Sequence, residues 1–72
     1  MEIREVFASN LRALRAERGL SQEELAHQAG LDRTYISSLE RCVYSPSIDV
    51  IAKLADVLGV RASDLLIEPP AF

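Results

Sequence analysis

Residues 19–41 read GLSQEELAHQAGLDRTYISSLER, and the reading of this run decides the fold. Ser21 followed by Glu24 has capping-box spacing, in which a hydroxyl accepts from one orphan amide and a carboxylate reaches back to another, so a short helix begins there. Leu25, Ala26 and Ala29 give that helix one apolar edge of unusually small residues. Gly30 stops it by adopting backbone angles that other residues take only at a cost. Asp32 is a good N-cap for a following helix through Arg33, Tyr35, Ile36 and Leu39 to about Arg41.

About four residues join the two helices, too few for an antiparallel pair, so a steep crossing is expected. A larger residue than Ala26 would hold the backbones apart where they pass, while Leu25, Ile36 and Leu39 fill the wedge: this is helix-turn-helix geometry. On the second helix of the pair, Arg33, Thr34, Ser37, Ser38 and Arg41 fall at i, i+1, i+4, i+5 and i+8, a polar stripe opposite Ile36 and Leu39. Such a stripe on an isolated helix is most often a solvated face. Here it lacks the Glu/Lys pairs that decorate solvated helices and consists of short or fork-shaped hydrogen-bonding groups, which suits contact with a partner.

Outward from the motif, Ile3, Val6, Phe7, Leu11 and Leu14 recur at helical spacing over residues 2–18 and end at Gly19, giving a first helix. Beyond it, Pro46 forbids the third helix from continuing through the following loop, and Ser47 caps a fourth helix carrying Ile48, Ile51, Leu54, Ala55 and Leu58, closed by Gly59. A fifth is expected from about Ala62 to Ile67, before Pro69 and Pro70. The predicted fold is all-α, with five helices in one domain over residues 1–72, the motif at about 21–40 and residues 68–72 a loose tail. Val50 and Val57 lie off the fourth helix's core stripe; with Leu66, Ile67 and Phe72 they form a candidate patch for a second copy of the chain.

Composition narrows the classes. A single cysteine, Cys42, permits no intrachain disulfide, and no Cys/His cluster has metal spacing, so no cofactor is expected and a reducing cytoplasm fits. No apolar run approaches the roughly 20 residues that span a bilayer, so no membrane association is expected. Paired carboxylates, a nucleophile with its base and a phosphate-cradling glycine loop are all lacking, which argues against an enzyme. His27 is a lone surface histidine and receives no role. The net charge of -3 weighs mildly against nucleic acid, but six of the eight basic residues lie between Arg4 and Arg41, whereas Asp49, Asp56, Asp64 and Glu68 lie toward the C-terminus.

The run Gly19–Arg41, with SPSIDVIAKLADVLGV and SDLL after it, resembles the Cro-like phage-repressor helix-turn-helix family, also called the XRE family, over roughly Leu11 to Leu66. The short length and LDRTYIS are most similar to the controller proteins of restriction-modification systems. The resemblance implies a lambda-repressor-like DNA-binding domain. It places Gln22 on a backbone phosphate, Arg33, Thr34 and Ser38 on base edges, and Tyr35, Ser37 and Arg41 on phosphate or a neighbouring base. Arg15 and Glu40 match a buried structural ion pair.

Cys42 departs from the family by standing where glycine is frequent, and Val43 and Tyr44 stand where polar or basic residues are. A left-handed Cys42 would be strained by roughly 1 kcal/mol; a longer third helix is the alternative. The expected function is a homodimeric, autoregulatory transcription regulator on an inverted-repeat DNA operator, repressing or recruiting RNA polymerase by occupancy. The rival class is a protein-binding module such as an antitoxin or anti-repressor, which would display apolar or acidic residues on the third helix. For Arg12, Arg18 and Arg61 an ordinary surface role is expected, with only Arg18 a candidate for phosphate.

Overall fold

The computed structural model describes residues 2–68, and Phe72 and residues 69–71 of the expected tail lie outside that range. The described chain forms α1 (Ile3–Glu17), α2 (Gln22–Ala29), α3 (Arg33–Glu40) and α4 (Ile48–Leu58), followed by a 3-10 turn at Ala62–Leu65, with no strand among the described residues.

The helix starts follow from the capping chemistry. Ser21 Oγ accepts from the Glu24 amide at 3.0 Å while Glu24 Oε1 accepts from the Ser21 amide at 2.9 Å. Asp32 accepts from the Thr34 amide at 3.2 Å, and Ser47 Oγ from the Val50 amide at 3.1 Å. The expected fifth helix is shorter than its sequence suggests. Only Ala62–Leu65 is helical, as a 3-10 turn, because Asn10 Nδ2 of α1 donates to the carbonyls of Leu65 at 3.0 Å and Ile67 at 2.9 Å and ties the chain off there.

All four α-helices end in the same way, with an amide beyond the terminus folding back on a carbonyl five residues earlier: Leu20 on Arg15, Leu31 on Ala26, Val43 on Ser38 and Val60 on Ala55. This closure needs a left-handed residue. At Gly30, with φ +69°, a Cβ would meet no heavy atom within 4 Å, so the requirement there is conformational and not steric. After α3 the same place falls to Cys42, with φ +61°, which settles the choice in favour of a strained turn over a longer helix.

The core draws Phe7 and Leu11 from α1, Leu25, Ala26 and Ala29 from α2, Ile36 and Leu39 from α3, Ile51, Leu54, Ala55 and Leu58 from α4, and Leu65 from the 3-10 turn. Ala26 is 2% exposed, so the small residue sits where α2 meets the core, as its size requires. Two stripe assignments fail. Ile48, on the first turn of α4, is 85% exposed, and Ile3, on the first turn of α1, is 59% exposed; each precedes the stretch where its helix meets the others.

Candidate nucleic-acid interface

Helix α3 buries Ile36 and Leu39 completely and leaves Arg33, Thr34 and Arg41 exposed, with Ser37 and Tyr35 half-buried. The outward stripe exists, with one correction: Ser38 is only 9% exposed. Ser38 stands one turn before the chain reversal in which the Val43 amide bonds its carbonyl at 2.9 Å, and a side chain this short does not reach past its surroundings. The side chains of Arg33, Ser37 and Arg41 make no hydrogen bond or ion pair among the described residues.

The pose of α3 is fixed from behind by Glu40. Its side chain, 3% exposed, accepts from Arg15 twice: Oε2 from Nε at 2.6 Å and Oε1 from Nη2 at 3.0 Å. That fork holds the Arg15 guanidinium above its already high ordinary pKa, mainly through the hydrogen bonds, against the opposing effect of burial. Arg15 Nη1 donates as well to the Leu20 carbonyl at 2.9 Å, so one side chain joins α1 to the entry of α2 and the end of α3.

Gln22, the first residue of α2, donates from Nε2 to Glu40 Oε1 at 3.0 Å. A carboxylate only accepts, so the Gln22 carboxamide must turn its NH2 toward Glu40. One N–H is thereby used, and the other remains on the same nitrogen for an acceptor such as a phosphate oxygen.

Thr34 is tied to the N-cap in two ways: its amide donates to Asp32 Oδ1 at 3.2 Å and its hydroxyl to the same oxygen at 2.8 Å. The hydroxyl bond, followed by the amide bond, holds the Asp32 carboxyl below its ordinary pKa. Tyr35 faces Tyr44 with ring centroids 6.4 Å apart, an aromatic pair that attaches the loop after α3 to the helix. Val43 and Tyr44 are 50% and 56% exposed beside the stripe.

Several polar residues that hold this arrangement carried no signal in the sequence. Arg12 Nη1 donates to the Glu40 carbonyl at 3.1 Å, closing the C-terminus of α3. Arg18 Nε donates to the Leu58 carbonyl at 3.0 Å and Nη1 pairs with Glu17 at 2.9 Å, so Arg18 closes α4 instead of standing free for phosphate. With Asn10, these side chains make α1 the source of terminal caps for α3, α4 and the 3-10 turn. Of the residues assigned to a dimer patch, Leu66 and Ile67 are 37% and 57% exposed, whereas Val50 and Val57 are half-buried and pack on the core.

The chain is similar to known proteins in sequence and in overall fold. The helix-turn-helix family model matches residues 11–65. A Neisseria hypothetical transcription factor of Neisseria meningitidis serogroup B is 48% identical over 68 residues, which are 94% of this chain and 64% of that protein. The control protein C.BamHI of Bacillus amyloliquefaciens is 43% identical over 65 residues, 89% of this chain and 80% of its own. The crystal structure of SinR, the master regulator for biofilm formation, in complex with DNA superposes with a TM-score of 0.82 at 37% identity, covering 85% of this chain and 98% of that one. The chain thus spans just under two thirds of the Neisseria protein's length. With a buried α2–α3 wedge, a displayed polar stripe and a family match across most of its length, the chain belongs to the helix-turn-helix family.

Proposed function

We propose that this protein is a sequence-specific DNA-binding transcription regulator that works in the cytoplasm as a homodimer. Two copies of α3 would lie in successive major grooves of an inverted-repeat operator, roughly 34 Å apart. The observation that carries the reading is the outward edge of α3: Arg33 and Thr34 stand exposed at its first turn, on a helix locked to the scaffold through Glu40 and Arg15. Arg33 is the candidate for a bidentate bond to guanine O6 and N7, with Thr34 on an adjacent base. Ser38, with 9% exposure, is demoted from base reader to a neighbour of the readout.

Gln22 would donate its second N–H to a phosphate and set the register, with Ser37, Arg41 and Tyr35 supplying further backbone contacts. Exposed Leu66 and Ile67 support a self-association surface after the 3-10 turn, and exposed Ile3, which lines the same surface depression as Leu66, enlarges the apolar area that a partner copy would cover. Regulation then follows from occupancy: a dimer over a promoter excludes RNA polymerase, and one beside it can recruit it. Binding to the regulator's own promoter gives the autoregulatory arrangement.

Selection of bound duplexes from a random pool tests this directly. An inverted repeat is expected, and Arg33→Ala should weaken operator binding by roughly tenfold or more and relax the preference at one position in each half-site. Unchanged affinity and unchanged preference would remove the readout assignment. Monomers that bind half-sites tightly at nanomolar dilution would remove the dimer.

A further inference from the structure

The hydroxyl of Thr34 has only one hydrogen, and the structure shows where it goes. Thr34 Oγ1 lies 2.8 Å from Asp32 Oδ1, and an ionised carboxylate can only accept, so Thr34 donates in that bond. The Thr34 amide bonds the same carboxylate oxygen at 3.2 Å, which fixes the Asp32 group over the first turn of α3 and leaves it no easy alternative pose. Asp32 is held in its charged, acceptor-only form by these two bonds. What Thr34 turns outward is therefore an oxygen with lone pairs and no proton.

We infer that Thr34 is a specificity-determining residue that accepts a hydrogen bond from an exocyclic amine in the major groove, and so selects cytosine N4 or adenine N6 against the carbonyl edges of guanine O6 and thymine O4. This rests on the reading that α3 enters the major groove, and it adds the polarity of one of its contacts. The groove makes that polarity decisive, since cytosine and adenine present amine donors there while guanine and thymine present acceptors. Against a base carbonyl, Thr34 would set oxygen against oxygen. It could then donate only by releasing Asp32, whose carboxylate would lose a hydrogen bond at the moment the interface displaces water from it. Asp32 acts as a positioning residue, because it determines whether Thr34 donates or accepts.

The test replaces each base pair of a selected operator in turn and compares wild type with three variants. Thr34→Val keeps the branched shape and deletes the hydroxyl. Thr34→Ser keeps the hydroxyl. Asp32→Ser keeps an N-cap oxygen but removes the obligate acceptor and frees the Thr34 proton. Circular dichroism verifies that each variant retains its helices; Thr34 is exposed, so its two variants report even if Asp32→Ser does not fold.

At the position whose preference disappears in Thr34→Val, the wild type is expected to favour cytosine or adenine about tenfold over guanine or thymine. Thr34→Ser should retain that ratio, and Asp32→Ser should lower it several-fold by admitting the carbonyl-bearing bases. A Thr34-dependent preference for guanine or thymine would overturn the inference and leave DNA reading by α3 intact, as would a folded Asp32→Ser protein with unaltered discrimination. If no operator emerges, or neither Arg33→Ala nor Thr34→Val alters any base preference, the underlying reading falls instead.

Discussion

At the scale of single residues, carboxylates do more than balance charge: Glu40 and Asp32 each settle what a neighbour can offer. Glu40 obliges Gln22 to face it with NH2, and Asp32 obliges Thr34 to spend its proton. Glu40 owes its own rigidity to Arg15, so Arg15→Met should leave a carboxylate with 3% exposure without its counter-ion and lower unfolding stability by about 3–5 kcal/mol in urea titrations. Cys42 behaves in the opposite sense. It holds φ +61° in the position that glycine fills after α1, α2 and α4, and its weak bond from Sγ to the Arg4 carbonyl, at 3.7 Å, compensates little. Cys42→Gly is expected to raise stability by about 0.5–1 kcal/mol, read as a rise of a few degrees in thermal midpoint.

At the scale of elements, the helix boundaries were legible wherever a residue bonds its own backbone a few positions away. Ser21 with Glu24, Asp32, and Ser47 are such cases, because the spacing of the residues is itself the geometry of the bond. The caps supplied by α1 were not legible, since Arg12, Arg18 and Asn10 reach carbonyls 28, 40 and 55 residues away, and only the completed fold brings those together. Ser38 and Ile48 failed for a related reason: a helical wheel says which way a side chain points but not whether the chain turns back over it or the neighbouring helix ends short of it.

The box at the start of α2 also sets a pH response. The Ser21 amide and then its hydroxyl hold the Glu24 carboxyl below its ordinary pKa, so Glu24 binds protons less readily folded than unfolded. Its stabilising contribution is present above the unfolded carboxylate pKa and is lost as pH falls through the lower folded value. Glu24→Gln keeps a side chain of the same reach and cannot ionise. The stability difference between wild type and this variant should therefore shrink as pH drops below about 4.5, in urea midpoints measured across that range.

At the scale of the whole molecule, the charge distribution reads differently once the arginines are placed. The six basic residues between Arg4 and Arg41 suggested a basic face, yet Arg12, Arg15 and Arg18 are engaged in holding helix termini and Glu40. Arg33 and Arg41 are left on the stripe, in a chain of net charge -3. Few phosphates can then be neutralised per protomer. Operator affinity should depend on salt with a log-log slope shallower than about -8 per dimer, and binding to random duplex should be weak; a steeper slope in titrations across salt concentrations would contradict this distribution of work.

The anchoring of α3 has a consequence for how such proteins diverge. The bonds that seat this helix come from its backbone, from Asp32 and from Glu40, while the side chains at 33, 37 and 41 contribute none of them. Those three positions can therefore be rewritten freely. A library randomised there should return well-folded members almost throughout, each preferring its own target, so that new regulatory circuits can arise from one inherited chassis without a detour through unfolded ancestors.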